Sequence, residues 1–213
     1  RQDPMKPIRT VTRVLTVATL VASATSCGDV VRSSRTPALL IVNSLTASRG
    51  AAGSGGGTSA SLLTSDVLTV VTSGGTCTTT SPCPTIFSDQ GVMTFSLAAK
   101  DISVPLTSNN QVTINRIHVS YRRTDGRNTE GVDVPFAYDT ASTVTVTPGT
   151  TTSTSFIIVR IQAKEESPLV QLVSNGIIIN AIADVTAYGT DAVGNAVSAT
   201  GSIGVQFGNF GDF

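Results

Sequence analysis

The sequence predicts an all-β protein, an antiparallel β-sandwich of about seven to nine strands. Three observations carry that expectation. Short runs rich in Val, Ile, Thr and Phe recur along most of the chain, punctuated by Gly, Pro, Asn and Asp. Several of these runs alternate apolar with polar residues, the period of a half-buried strand. No stretch sustains the spacing of a long amphipathic helix. The 213 residues suffice for one good-sized domain or two small ones. A single domain over residues 37–213 is preferred, because no internal repeat marks a division near Gly149.

Ala38–Thr46, ALLIVNSLT, reads as the first strand. The segment 47–60, ASRGAAGSGGGTSA, reads as a Gly/Ser-rich loop. It lacks the Gly-Lys-Ser/Thr that a phosphate-binding loop requires. Within Ser61–Thr72 a second strand centres on Val67–Val71, and Ser73–Pro84 forms a loop holding two cysteines. In Gly91–Lys100, Val92, Thr94 and Ser96 alternate with Met93, Phe95 and Leu97. In Gln111–Tyr121 the apolar positions are Val112 and Ile114, then Ile117, Val119 and Tyr121. The phase slips by one near Asn115 and Arg116, as a β-bulge would produce. Thr124–Gly131 carries an Asp-Gly turn signal. Val132–Tyr138, interrupted by Pro135, is expected as an edge strand. Ser142–Thr147 and Ser155–Ala163 are expected strands, the first stopped by Pro148 and Gly149. Glu165–Asn175 is expected to hold one helical turn or a crossing between sheets. The stretch 176–207 closes the chain as a hairpin: two long β-type runs flank DAVGN. There Asp191, Gly194 and Asn195 tolerate tight-turn backbone angles.

That turn, TDAVGN at Thr190–Asn195, resembles the TDxxGN turn near the end of many bacterial immunoglobulin-like surface domains. The resemblance covers those residues and, loosely, the flanking strands. It implies an immunoglobulin-like or fibronectin type III-like sandwich. The Cys-Trp-Cys core signature of antibody domains is missing, since the chain has no Trp.

The first residues read as an address. Arg1–Pro4 precede a start at Met5; Lys6, Arg9 and Arg13 form a basic region, and Val14–Ala24 an apolar one. The apolar run falls short of the roughly 20 residues a membrane span requires, so residues 1–26 are read as upstream residues and a signal peptide. Two cleavage readings stay open. Ala22-Ser23-Ala24 fits an ordinary signal-peptidase site. Ala24-Thr25-Ser26-Cys27 resembles the lipobox of bacterial lipoproteins, departing from it at Ala24, where Leu is usual. The second resemblance implies lipidation of Cys27, a tether over residues 27–36, and a membrane anchor in the bacterial envelope. Gly28 after the cysteine leans toward the outer membrane or cell surface. The other cysteines, Cys77 and Cys83, are then an even pair, and in an oxidising compartment a disulfide between them is expected.

Past Cys27 there are ten Lys and Arg against thirteen Asp and Glu, with no basic stripe, which argues against nucleic-acid binding. The lone histidine, His118, lies in a strand, with Ser120 on the same face. As a general base it would also need an orienting acid. An exposed strand histidine is the simpler reading. Glu165 and Glu166 are adjacent, so an extended chain sends them to opposite faces, unlike the convergent carboxylates of a glycosidase. Asp125, Asn128, Glu130 and Asp133 surround one loop and are oxygen ligands of the type calcium takes. Arg122, Arg123 and Arg127 stand nearby to neutralise them, and a solvated hairpin tip is preferred. No catalytic residue, metal or cofactor is therefore expected. The tail QFGNFGDF is expected to staple Phe207 and Phe210 onto the sandwich edge.

The functional expectation is a lipid-anchored envelope protein presenting a β-sandwich for binding, adhesion or scaffolding. Its partner would be an envelope protein or a polysaccharide. Two alternatives stand beside it: a structural subunit of a surface assembly pairing through an open edge strand, and a secreted hydrolase whose Ser or Asp residues meet only on folding.

Overall fold

The computed structural model describes residues 35–51 and 57–210. The residues read as a signal peptide, Cys27 and Phe213 lie outside them. The described chain is all-β, an arrangement of several sheets compatible with a β-sandwich, with one sheet curled into a half-barrel. Ten strands are described: β1 (Ala38–Ser48), β2 (Leu62–Asp66), β3 (Thr69–Val71), β4 (Cys83–Thr85), β5 (Asp89–Ala99), β6 (Val112–Arg123), β7 (Tyr138–Val146), β8 (Thr152–Val159), β9 (Ile179–Asp191) and β10 (Ala196–Gly208). One short helix, α1 (Ile161–Glu165), follows β8.

Three strands form one sheet in the order β1-β5-β8, and five form another in the order β2-β10-β9-β6-β7. The pairings are antiparallel except β2, which runs parallel to the C-terminal part of β10. Successive strands cross between sheets from β1 to β2, β5 to β6, β7 to β8 and β8 to β9. The apolar alternation decides which side chains face inward. Phe95 and Met93 of β5, Ile117 and Val119 of β6, Val185 of β9 and Phe207 of β10 are all buried in one core. Burying such a side chain contributes about 1.5–3 kcal/mol. Tyr121 of β6 meets Phe207 edge to face at 5.9 Å. Its hydroxyl donates to the Ile158 carbonyl of β8, so one buried tyrosine ties the two sheets together. Burial raises the Tyr121 pKa well above the usual phenol value.

The expected bulge is present: the register of β6 shifts between Ile114 and Arg116 against both neighbours. Gly189 of β9 lies opposite it, where an added Cβ would stand 2.3 Å from the Thr113 carbonyl oxygen. The closing hairpin also forms as expected. Asp191 Oδ1 accepts hydrogen bonds from the amides of Val193 and Asn195, and Asn195 Nδ2 donates to Oδ2. Gly194 takes φ +86°, which favours glycine.

Several boundaries need correction. The strand expected at Val132–Tyr138 does not form: the Thr129 carbonyl accepts the amides of Val132, Asp133 and Val134, closing a turn. Pairing begins at Tyr138, and the run expected from Ser142 belongs to the same strand, β7. It is this strand that lies at the sheet edge. β8 stops at Val159, and residues expected to extend it turn into α1. The segment Glu165–Asn175 holds a 3₁₀ stretch, Leu169–Ser174, so the crossing has two short helical pieces. The second apolar run splits into β2 and β3, with Val67 buried between them.

Candidate functional site

At one end of the sheets, β5 begins and β8 gives way to α1, Asp89 pairing with Val159. Two adjoining recesses lie there and share Ser88 and Ile161. One, of about 340 Å³, is lined by Tyr138, Asp139, Thr140, Arg160 and Gln162. The other, of about 380 Å³, is lined by Ser48, Arg49, Gly50 and Phe87.

The wall of the first recess is built by register. Tyr138 and Asp139 are consecutive in β7 and so point to opposite sides. The Tyr138 hydroxyl donates to the Ile157 carbonyl of β8, and burial raises its pKa. The Arg160 guanidinium lies over the Tyr138 ring at 4.1 Å. Asp139 sits opposite His118 in the β6–β7 ladder, with Oδ1 3.2 Å from His118 Nδ1. The same oxygen accepts from Arg116 at 3.3 Å, and Arg116 covers the Tyr188 ring at 4.1 Å. The surface is therefore a set of planar groups and charges locked by one another.

A buried polar cluster lies next to the second recess. Lys164 of α1 and Asp89 of β5 form an ion pair at 2.9 Å, with side chains 1% and 0% exposed. Asp89 Oδ2 also accepts from the Ser65 hydroxyl at 2.6 Å, and Oδ1 accepts from the Gly50 amide at 2.9 Å. Lys164 donates to the Phe87 carbonyl at 2.7 Å. Burial lowers the Lys164 pKa, against the opposing pull of Asp89 and Asp66. Arg49 stands 3.8 Å from Asp66, which accepts the Phe210 amide. The Phe210 end of the tail is thereby pinned, as Phe207 is by burial in the core.

His118 gains the acid partner that sequence spacing could not show, since Asp139 arrives from another strand. Ser120 lies opposite Asp184 of β9, and among the described residues His118 has its hydrogen bond to Asp139. Three of the four candidate calcium residues have side chains engaged by the protein. Asp125 is clasped by Arg127 and Arg123, which hold its pKa down to about 2, the Arg127 hydrogen bond first. Asn128 accepts the Arg123 amide, and Asp133 accepts the Thr129 amide. Glu130 is exposed and bridges to Val134 through the backbone. Among the described residues no group of three or more His, Cys, Asp or Glu is placed to hold a metal. Glu165 and Glu166 are both exposed at the end of α1. Cys77 and Cys83 are joined as a disulfide beside the β3–β4 pair, with Cα atoms 5.4 Å apart. The lipidation candidate Cys27 lies outside the described residues.

Sequence reading missed Lys164, Asp89, Arg160 and Asp139. Local sequence carried no signal for them: Lys164 lies between Ala163 and Glu165, the setting of an ordinary surface lysine. Comparison with family models, with curated proteins and with solved structures finds no match for this chain.

Proposed function

We propose that this chain is an exported, lipid-anchored envelope protein whose immunoglobulin-like sandwich binds a partner at the Tyr138–Arg160–Asp139 recess and catalyses nothing there. One observation carries the reading. Arg160 is stacked on Tyr138, Asp139 is held by His118 from outside the recess, and Arg160 Nε is buried without a hydrogen-bond partner among the described residues. Such an arrangement is suited to holding a planar or anionic group and supplies no activated nucleophile. The immunoglobulin-like assignment draws support from how the strands divide. β1, β5 and β8 oppose β6, β9 and β10, the division of strands A, B and E from C, F and G, with β7 beside C. The envelope assignment rests on the signal segment and Cys27.

Binding to immobilised envelope polysaccharide and to envelope protein extracts tests the reading. Saturable binding is expected, weakened at least tenfold by Arg160→Ala. Binding unaffected by that change would remove the recess from the function. Mass spectrometry of the amino-terminal peptide from native cells would show acyl chains on Cys27; an unmodified thiol there would refute the anchor.

A second reading, a subunit of a surface assembly, is favoured by one feature. Among the described residues β2 pairs only with Gly204–Gly208 of β10, leaving the first part of β10 a neighbour on one side alone. Strand addition there would give concentration-dependent polymers in sedimentation, and a monomer at all concentrations would dismiss it.

A further inference from the structure

We infer that Lys164 and Asp89 become covalently joined. The Nζ of Lys164 condenses with the side-chain carboxyl of Asp89, one water leaves, and an isopeptide bond links α1 to β5. Nothing in the proposed binding role requires such a bond.

The reacting groups are already in contact at 2.9 Å and have almost no exposure, so they meet at high effective concentration in the absence of bulk water. The surroundings of the carboxyl differ at its two oxygens, and each suits one part of the step. Oδ1, the oxygen that stays, accepts the Gly50 amide at 2.9 Å. Negative charge develops on that oxygen when the amine adds to the carboxyl carbon, and a backbone amide aimed there stabilises it. Oδ2, the oxygen that leaves, accepts the Ser65 hydroxyl at 2.6 Å as well as the lysine. It is thus the oxygen surrounded by proton donors. The Phe87 carbonyl, 2.7 Å from Nζ, holds the lysine head in place.

The step balances within the pair. A proton passes from the ammonium to the carboxylate, giving an amine and a carboxylic acid. The nitrogen lone pair then forms the C–N bond. A second nitrogen proton moves to Oδ2, and the C–Oδ2 bond breaks to release water. No oxidant, reductant or further reactant takes part. Burial favours the neutral amine that attacks, since it lowers the Lys164 pKa. Asp66, whose charge also acts on Lys164, is a second carboxylate near the reaction, opposed by Arg49. A buried ion pair is by itself a poor source of stability, because desolvation offsets its attraction. A covalent bond gives the same two residues a stabilising role that the ion pair lacks.

The test uses the full chain, purified, denatured, reduced and digested with trypsin. Residues 50–100 and 161–164 would be separate tryptic products of an unlinked chain, and residues 165–213 a third. With the bond present, Lys164 is blocked. The expected product is a branched peptide joining 50–100 to 161–213, one water lighter than its parts and absent from Lys164→Met. Recovery of the unlinked peptides, with trypsin cutting after Lys164, would overturn the inference. The wild-type digest decides on its own, so the outcome does not depend on whether Lys164→Met folds. It is also independent of the binding assay, because neither Lys164 nor Asp89 lines the Arg160 recess.

Discussion

Asp89→Leu should be among the most damaging single substitutions in this fold, and adding Lys164→Met should largely repair it. The first change removes the carboxylate but keeps a side chain of similar shape, leaving the Lys164 ammonium with the Phe87 carbonyl and the charge of Asp66. A buried lysine stripped of its partner sheds its proton instead of staying charged. Holding it neutral at pH 7, against an ordinary pKa of about 10.4, costs at most about 5 kcal/mol at 1.36 kcal/mol per unit. The general cost of breaking a buried pair, about 3–5 kcal/mol, falls in the same range. A domain of this size would lose roughly 2–4 °C of Tm for each kcal/mol. The pH dependence has a definite sign. The folded single variant binds fewer protons than its unfolded chain, so its stability should rise with pH. The slope should approach about 1.4 kcal/mol per unit between pH 7 and 9. Urea denaturation of Asp89→Leu and of Asp89→Leu/Lys164→Met across that range is the assay. Neither protein can form a Lys164–Asp89 bond, so the comparison isolates the buried charge. Equal midpoints, or a single variant with no pH slope, would show that Lys164 is not sealed from water as its 1% exposure implies.

Three further outcomes follow from the geometry. Asp191→Ala removes the acceptor for the Val193 and Asn195 amides and should cost about 1–3 kcal/mol, with faster hydrogen exchange confined to the hairpin end; unchanged exchange there would exclude the carboxylate from the turn. Gly189→Val should destabilise strongly or prevent folding, since even its first carbon would overlap the Thr113 carbonyl at the β6 bulge; a native-like melting temperature would mean the bulge yields. Asp125 should titrate at about 2 in carbon-detected NMR, and Arg127→Ala should move it up toward the ordinary carboxylate range; an unmoved titration would assign the shift elsewhere.

What the sequence disclosed and withheld divides along local and long-range lines. The alternation of Val92–Leu97 specified which face of β5 is buried, and the slipped phase at Asn115 located a bulge that only strand pairing makes visible. The Asp191–Asn195 turn was legible because its chemistry is contained within a few residues. β7 was not, because Pro135 and Gly131 blurred where the turn ends and pairing begins. The recess and the buried cluster were beyond local reading altogether. Asp139 reaches His118 only through the β6–β7 register, and Lys164 reaches Asp89 through the meeting of α1 with the start of β5. Polarity at Asp89 and Lys164 gave an ordinary surface signature; burial alone made them unusual.

The parallel pairing of β2 with β10 has a bearing on how the chain matures. A polypeptide made from its amino end presents Leu62–Asp66 long before Gly204–Gly208 emerge. During that interval β2 has no ladder, and neither has the outer edge of β9. Contacts so distant in sequence are slow to form and leave sticky edges in the meantime. Formation of the last strand thus becomes the event that licenses completion, and a product cut short before Ala196 should be cleared by proteases as unfinished.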